Sequence, residues 1–280
     1  MIRSLFLLAA LTLPAHAAER VVSVNAALTE IVVALEAADQ LVAVDVSSTL
    51  ADPQLPRLGY HRQLSAEGIL AMNPDQVLAG DTAGPASTLD TLRQADIPVL
   101  VMTNPQTGEA LKAHIRELAK VLEREPQGEA LVNKVSQQLD GLSRQSAATR
   151  AKPQVLFLMS SSQRGLRIGG KGTPADTLLT LAGAENLADF EGYRSITAEG
   201  ILALAPQALL TIQMPGEAVP DLVEQHPLLA HLPGAARVYA LPAQSMIGGL
   251  SLGGLDTAQD LQEWLDTQGL NALAMEAAGE

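Results

Sequence analysis

The chain has 280 residues and a formal net charge of -13, from 18 basic against 31 acidic side chains. That length accommodates two lobes of ordinary size with a sizeable core, and the acidic balance argues against nucleic acid or an anionic membrane as partner. No cysteine is present, which excludes disulfides, thiolate metal sites and cysteine nucleophiles.

Residues 1–17 read as an export signal. Arg3 supplies the basic start, Leu5 to Leu13 is an apolar run too short to span a bilayer, and Ala15-His16-Ala17 is a small-x-small cleavage site. The mature chain is expected to begin at Ala18, exported and soluble, most simply in a bacterial periplasm. An alternation of strands and helices follows. Strands are predicted at Val21–Val24, Leu41–Asp45, Gln76–Ala79 and Pro98–Met102. A helix opens at Thr29-Glu30, another is capped by Ser65 and ended by Asn73-Pro74, and a third runs from Ala86 to Gln94. Strands apolar on both faces and joined by helices indicate a parallel sheet covered on both sides.

From Thr107 to Arg124, Leu111, Ile115, Leu118 and Leu122 fall at helical spacing. Pro126 breaks that run, and residues 127 to 148 form a second long helix. Helix after helix interrupts the alternation, so the lobe boundary is placed here: residues 18–125 form one lobe, 126–150 a bridging helix and 151–280 the other lobe. Strands then recur at Gln154–Met159, Ala208–Ile212 and Arg237–Leu241. Helices are predicted from Pro174 to Ala182 and from Gly254 to Met275, with Gln268-Gly269 a potential break in the latter. The predicted fold is α/β: two Rossmann-like lobes with parallel sheets, one bridging helix, and a ligand cleft between them.

An internal repeat links the halves. Ser65-Ala66-Glu67-Gly68-Ile69-Leu70-Ala71 reappears as Thr197-Ala198-Glu199-Gly200-Ile201-Leu202-Ala203, with Arg62 matching Arg194 at the same offset. Gly59-Tyr60 and Gly192-Tyr193 precede the two copies. Tyr60-His61-Arg62 is conspicuous in a chain with three tyrosines, three phenylalanines and one tryptophan. A phenol beside a guanidinium suits a hard metal ion, because ferric iron favours the ionised phenolate and the cation adds to that. His61 is a candidate second ligand, although neighbours in an extended run point to opposite faces. By the repeat, Tyr193 and Arg194 are expected to face the cleft from the other lobe. Its walls would be aliphatic and methionine, with Met214 and Met246 as candidates.

These stretches, together with the Gly170-Lys171-Gly172-Thr173-Pro174-Ala175-Asp176 turn and Phe190-Glu191-Gly192-Tyr193-Arg194, resemble the periplasmic hemin-binding proteins of bacterial hemin ABC importers. These are a branch of the helix-bridged class that also carries cobalamin and ferric siderophores. The resemblance covers nearly all of the mature chain. It implies a monomer that is not an enzyme, with haem as the transported ligand and Tyr60 as axial iron ligand. Arg62, Tyr193, Arg194 and His61 would contribute to the haem site. It further implies that Glu67 and Glu199, one on each lobe, dock onto the two subunits of an inner-membrane ABC permease, with an outer-membrane haem receptor upstream. One departure stands out. The family pattern places an arginine after a Gly-x-Gly turn near the carboxyl end, where this chain reads Gly253-Gly254-Leu255-Asp256.

Other patterns lead elsewhere. Gly165-Leu166-Arg167-Ile168-Gly169-Gly170-Lys171-Gly172 nearly matches a phosphate-binding loop but lacks the Ser or Thr that holds magnesium, and reads as a glycine-rich turn. His114 is expected to be solvated, and His226 and His231 lack an acidic partner at metal-site spacing. No Gly-x-Ser-x-Gly elbow occurs. The alternatives to a haem carrier are a siderophore or cobalamin carrier of the same class, and an exported α/β enzyme whose site is assembled from distant residues.

Overall fold

The computed structural model describes residues 19–148, 152–161, 165–233, 235 and 237–270. The predicted export signal and the predicted end of the last helix at Met275 lie outside the described residues. The first lobe begins with β1 (Val21–Val24), α1 (Ala26–Ala34), β2 (Leu41–Val44) and α2 (Ala66–Leu70). It continues with β3 (Gln76–Gly80), α3 (Ala86–Gln94), β4 (Val99–Met102) and α4 (Gly108–Val121). Its sheet has the order β2-β1-β3-β4 and is parallel throughout. Helix α1 starts three residues before the predicted Thr29, because Asn25 is its cap: the side-chain oxygen accepts from the Leu28 amide at 3.2 Å. Glu30 therefore lies beyond the first turn of α1, and its carboxylate serves a different helix, described below.

Helix α5 (Glu125–Ala148) leads out of this lobe. Pro126 does not precede it but sits in its first turn, where a missing N–H costs nothing. What ends α4 is a reversal at Glu123, whose φ is 53°. The second lobe holds β5 (Gln154–Ser161), β6 (Gly165–Gly169), α6 (Pro174–Leu181), β7 (Glu185–Asn186) and β8 (Tyr193–Ser195). It ends with α7 (Ala198–Leu204), β9 (Ala208–Gln213), α8 (Leu222–Gln225), β10 (Val238–Pro242) and α9 (Leu252–Thr267). The second sheet runs β10-β9-β5-β6-β8. Its β10, β9 and β5 are parallel, but β6 and β8 join antiparallel. The expected parallel sheet thus holds for the first lobe only; the glycine-rich run at 165–169 is a strand, not a turn.

Three apolar clusters form the core. An outer one covers the first sheet under α2 and α3, with Ile69, Val77 and Leu92. Another covers the second sheet under α7 and α8, with Leu158, Ile168, Ile201 and Leu222. The largest is shared: Val21, Ile31 and Ile115 of the first lobe, Val135 of α5, and Phe157, Leu179 and Leu261 of the second lobe belong to one buried cluster. Helix α5 packs against α4 on one side and α6 and α9 on the other.

Candidate functional site

The parallel strands of both sheets end at a common cleft, the usual place for a ligand in open α/β sheets. A cavity of about 320 Å³ lies there, lined from the first lobe by Tyr60, His61, Arg62, Thr82, Asn104 and Gln106. From the second lobe it is lined by Gly172, Pro174, Tyr193, Met246, Ile247, Gly248 and Gly249. Local backbone geometry presents both tyrosines. Pro56–Gly59 runs alongside β2, with Leu58 N–H on Val44 O and Val46 N–H on Gly59 O. Gly59 then turns at φ +87°, a left-handed conformation that side chains disfavour, and Tyr60 emerges 45% exposed. In the second lobe Gly192 does the same at φ +73° ahead of Tyr193. The Gly-Tyr pairs ahead of the two repeats are thus two uses of one device.

Tyr193 is half-buried, and burial pushes its phenol above the usual value, opposed by the nearby Arg167 charge. No described residue hydrogen-bonds the side chains of Tyr60 or Arg62, and Arg62 makes no ion pair among the described residues.

Arg194 does not stand where the sequence suggested, whereas His61 lines the cavity from a buried position. The His61 imidazole is buried at 4% exposure beneath the Tyr60 ring, centroids 4.2 Å apart, with its Nδ1 turned toward Asp45 Oδ2 at 3.7 Å. It sits at the top of a buried polar network, close to Asp45 but without a hydrogen bond to Nδ1 among the described residues. The Ser47 hydroxyl donates to Asp45 Oδ2, and the Ser48 hydroxyl donates to Asp45 Oδ1 at 2.5 Å. Thr29 Oγ1 contacts Ser48 Oγ and Ser23 Oγ, each at 2.8 Å. Burial raises the Asp45 carboxyl, but His61, Ser47 and Ser48 outweigh it and hold the group below its ordinary value. Arg194 neighbours Tyr193 on β8, and adjacent strand residues face opposite sides. With Tyr193 toward the cleft, Arg194 turns away and lies over the Phe190 ring at 4.4 Å from its centroid.

The cation beside Tyr193 is instead Arg167 of β6. Its guanidinium lies 5.6 Å from the Tyr193 ring centroid, and its Nη2 donates to Tyr193 O at 3.4 Å. Arg167 also lines a second cavity of about 520 Å³, with Met159, Ile212, Met214, Ser160 and Thr211. The contact between Arg167 and Tyr193 joins one lining residue of each cavity. Leu166-Arg167-Ile168, one polar residue between two buried apolar ones, is the alternating pattern that could have revealed it.

The remaining motifs are structural or peripheral. Thr173 caps α6, accepting from Asp176 N–H at 3.3 Å, while Asp176 Oδ2 accepts from Gly172 N–H at 3.1 Å. Gly170 is required there, since a Cβ would meet Phe190 O at 2.0 Å. His114 is buried, not solvated: it sits on the core face of α4, where burial lowers its pKa against the opposing charge of Glu117. His226 Nε2 lies 3.0 Å from Ser160 Oγ, and no cluster of metal-binding side chains occurs among the described residues. Gly253 occupies the first turn of α9 and donates its N–H to Glu30 Oε2 of the first lobe at 3.0 Å. Burial raises the Glu30 carboxyl, although hydrogen bonds from Gly253, Ser251 and Leu252 lower it.

Glu67 and Glu199 are both exposed, each two residues beyond a cap. Ser65 Oγ accepts from Gly68 N–H at 3.3 Å and Thr197 Oγ1 from Gly200 N–H at 3.2 Å. Glu199 is held below its ordinary value by its own backbone N–H and the Thr197 hydroxyl.

Residues 21–245 match the family described as periplasmic binding proteins. The chain belongs to that family. A periplasmic heme-binding protein from Pseudomonas aeruginosa is structurally similar to this periplasmic binding protein, with a TM-score of 0.80 and 32% identity over 88% of this chain and 91% of that one. The periplasmic heme-binding protein HutB of Vibrio cholerae also gives a TM-score of 0.80 at 32% identity, over 88% of this chain and 98% of its own. Among curated relatives, a vitamin B12-binding protein of Yersinia pestis (strain Pestoides F) is 28% identical over 211 residues, 74% of each chain.

Proposed function

We propose that this protein captures haem in the periplasm and delivers it to an inner-membrane ABC importer. The observation that carries the reading is the pair of tyrosines facing one cavity from opposite lobes, beside arginines that make no ion pair among the described residues and against Met246 and Ile247. A flat apolar ligand with a ferric centre and acidic edges matches each part of that lining. The heme-binding proteins of P. aeruginosa and V. cholerae, both at 32% identity, support it.

Tyr60 is the iron ligand in this reading, not Tyr193. A phenolate is a fitting oxygen donor to ferric iron, and Tyr60 is presented to the cavity 45% exposed, whereas Tyr193 is half-buried and burial opposes its ionisation. Arg62, two residues on, supplies a cation to the phenolate or to a propionate. Tyr193 forms the opposite wall. Glu67 and Glu199 are the docking carboxylates for the two permease subunits, the internal repeat meeting the twofold of the transporter. The protein acts as a carrier and not as an enzyme.

Titration with hemin tests this. The wild type should develop a Soret band to a stoichiometric endpoint. Tyr60→Phe should lose the tyrosinate spectrum and release haem faster, while Tyr193→Phe should keep the spectrum. A Tyr60→Phe variant with unchanged spectrum and affinity would overturn the ligand assignment. The vitamin B12-binding relative at 28% identity favours cobalamin as the second reading. Saturable uptake of cobalamin with no hemin titration would select it.

A further inference from the structure

We propose that Arg167 is an anion-binding residue of the cleft, on the second lobe opposite Arg62, receiving a carboxylate edge of the ligand. This rests on the haem reading, for which the carboxylates are the propionates. The pairing of Met159 with Arg167 across β5 and β6, and of Gly169 with Tyr193 across β6 and β8, puts Met159, Arg167 and Tyr193 on one face of the sheet. That face is the cleft face, since Tyr193 on it lines the cavity between the lobes. A guanidinium has five N–H donors, and among the described residues only the Tyr193 carbonyl takes one from Arg167. No described residue forms an ion pair with it.

A half-buried cation without an acidic partner is costly unless something compensates it. The Tyr193 ring supplies part of that by its π face. A carboxylate entering the cavity that Arg167 lines supplies the rest, through a fork of parallel N–H bonds. Ser160 and Thr211 also border this cavity, but by the same alternation their side chains face the outer layer of the sheet. Met159, Ile212 and Met214 give the apolar wall that a macrocycle needs next to its acidic edge. The acidic side chain on that lining, Glu217, is exposed. Arg194 faces the opposite layer of the sheet, and the Gly253-Gly254-Leu255-Asp256 run is engaged with Glu30, so neither competes for this role.

The test compares hemin with its dimethyl ester, which keeps the iron and the ring but carries no propionate charge. Arg167→Gln should weaken hemin binding by about tenfold or more, the range of a hydrogen bond to a charged group. It should leave ester affinity and the wild-type spectrum unchanged, and Arg167→Lys should recover part of the loss. Equal losses for hemin and ester would make Arg167 a packing residue only, and no loss for either would dismiss it. Both outcomes overturn the proposal while the wild type still binds hemin. A wild type that takes up neither compound removes the haem reading itself, and the arginine assignment with it. Thermal midpoints of both variants should match the wild type; if Arg167→Gln misfolds, the hemin-to-ester ratio of Arg167→Lys decides.

Discussion

Asp45 offers a direct test of the buried network beneath Tyr60. Its side chain is fully buried and accepts from Ser47, Ser48 and the Ser47 amide, with His61 Nδ1 3.7 Å away. Asp45→Ala leaves those donors without their acceptor, Ser48 being buried and Ser47 half-buried. Leaving buried donors without their acceptor costs about 1–3 kcal/mol each. Some of that returns because the carboxylate no longer has to be desolvated, so about 3 kcal/mol is expected. Urea midpoints at constant slope measure it. The pH dependence supplies the sign. The Asp45 carboxyl titrates below its ordinary 3.8 in the folded protein. Its contribution is therefore fully present above pH 3.8 and is lost as pH falls through the folded value. The gap between wild type and Asp45→Ala should narrow over that acid window and nowhere above it. A gap under about 1 kcal/mol at neutral pH would refute the energetic argument, and one that persists unchanged into strong acid would refute the charge assignment.

Two further outcomes are expected. Burial raises the Glu30 pKa, so ionising it costs stability as pH rises from its ordinary 4.5 through the folded value; Glu30→Gln, which still accepts from Gly253, should flatten that decline in thermal melts and be no less stable at neutral pH. Glu67→Ala and Glu199→Ala should leave hemin titrations unchanged and reduce transport into vesicles carrying the cognate permease, most in the double variant; normal delivery by the double variant would leave the two acids with only a helix-dipole role.

The parts legible in the sequence were those with a clean period or a strong cap. Ser65, Thr107 and Pro174 opened their helices where hydroxyl and proline chemistry predicts. The misses share a cause: a conspicuous residue type outweighed its position. Thr29-Glu30 masked Asn25 as the cap of α1, since the later hydroxyl and acid resembled a helix start. His114 follows Leu111 by three and precedes Ile115 and Leu118 by one and four, so the helical period already placed it inward. Arg194 was assigned to the cleft from the repeat, but the copies are not in register around the tyrosines. Tyr60 is two residues from Arg62, whereas Tyr193 adjoins Arg194. On a strand that single deletion reverses the facing of one side chain relative to the other. The same alternation, applied to Leu166-Arg167-Ile168, points Arg167 into the space Arg194 cannot reach.

The shared core explains why the cleft can serve as a preformed site. In a pair of lobes joined only by extended linkers, each lobe would close its own apolar cluster and the gap between them would be free to widen. Here α1 and α4 from one side and α6 and α9 from the other bury their apolar faces in one cluster with α5. Widening the cleft would expose that cluster at about 25 cal/mol per Å² of apolar surface. It would also separate Glu30 from the Gly253 amide, leaving a buried carboxylate short of one of its donors. Both penalties grow with the opening angle, so the lobes are restrained by packing as well as by the continuity of one helix. Tyr60 and Tyr193 are thereby held on the lining of one cavity before any ligand arrives, and the ordering cost of assembling that cavity is met during folding rather than on binding.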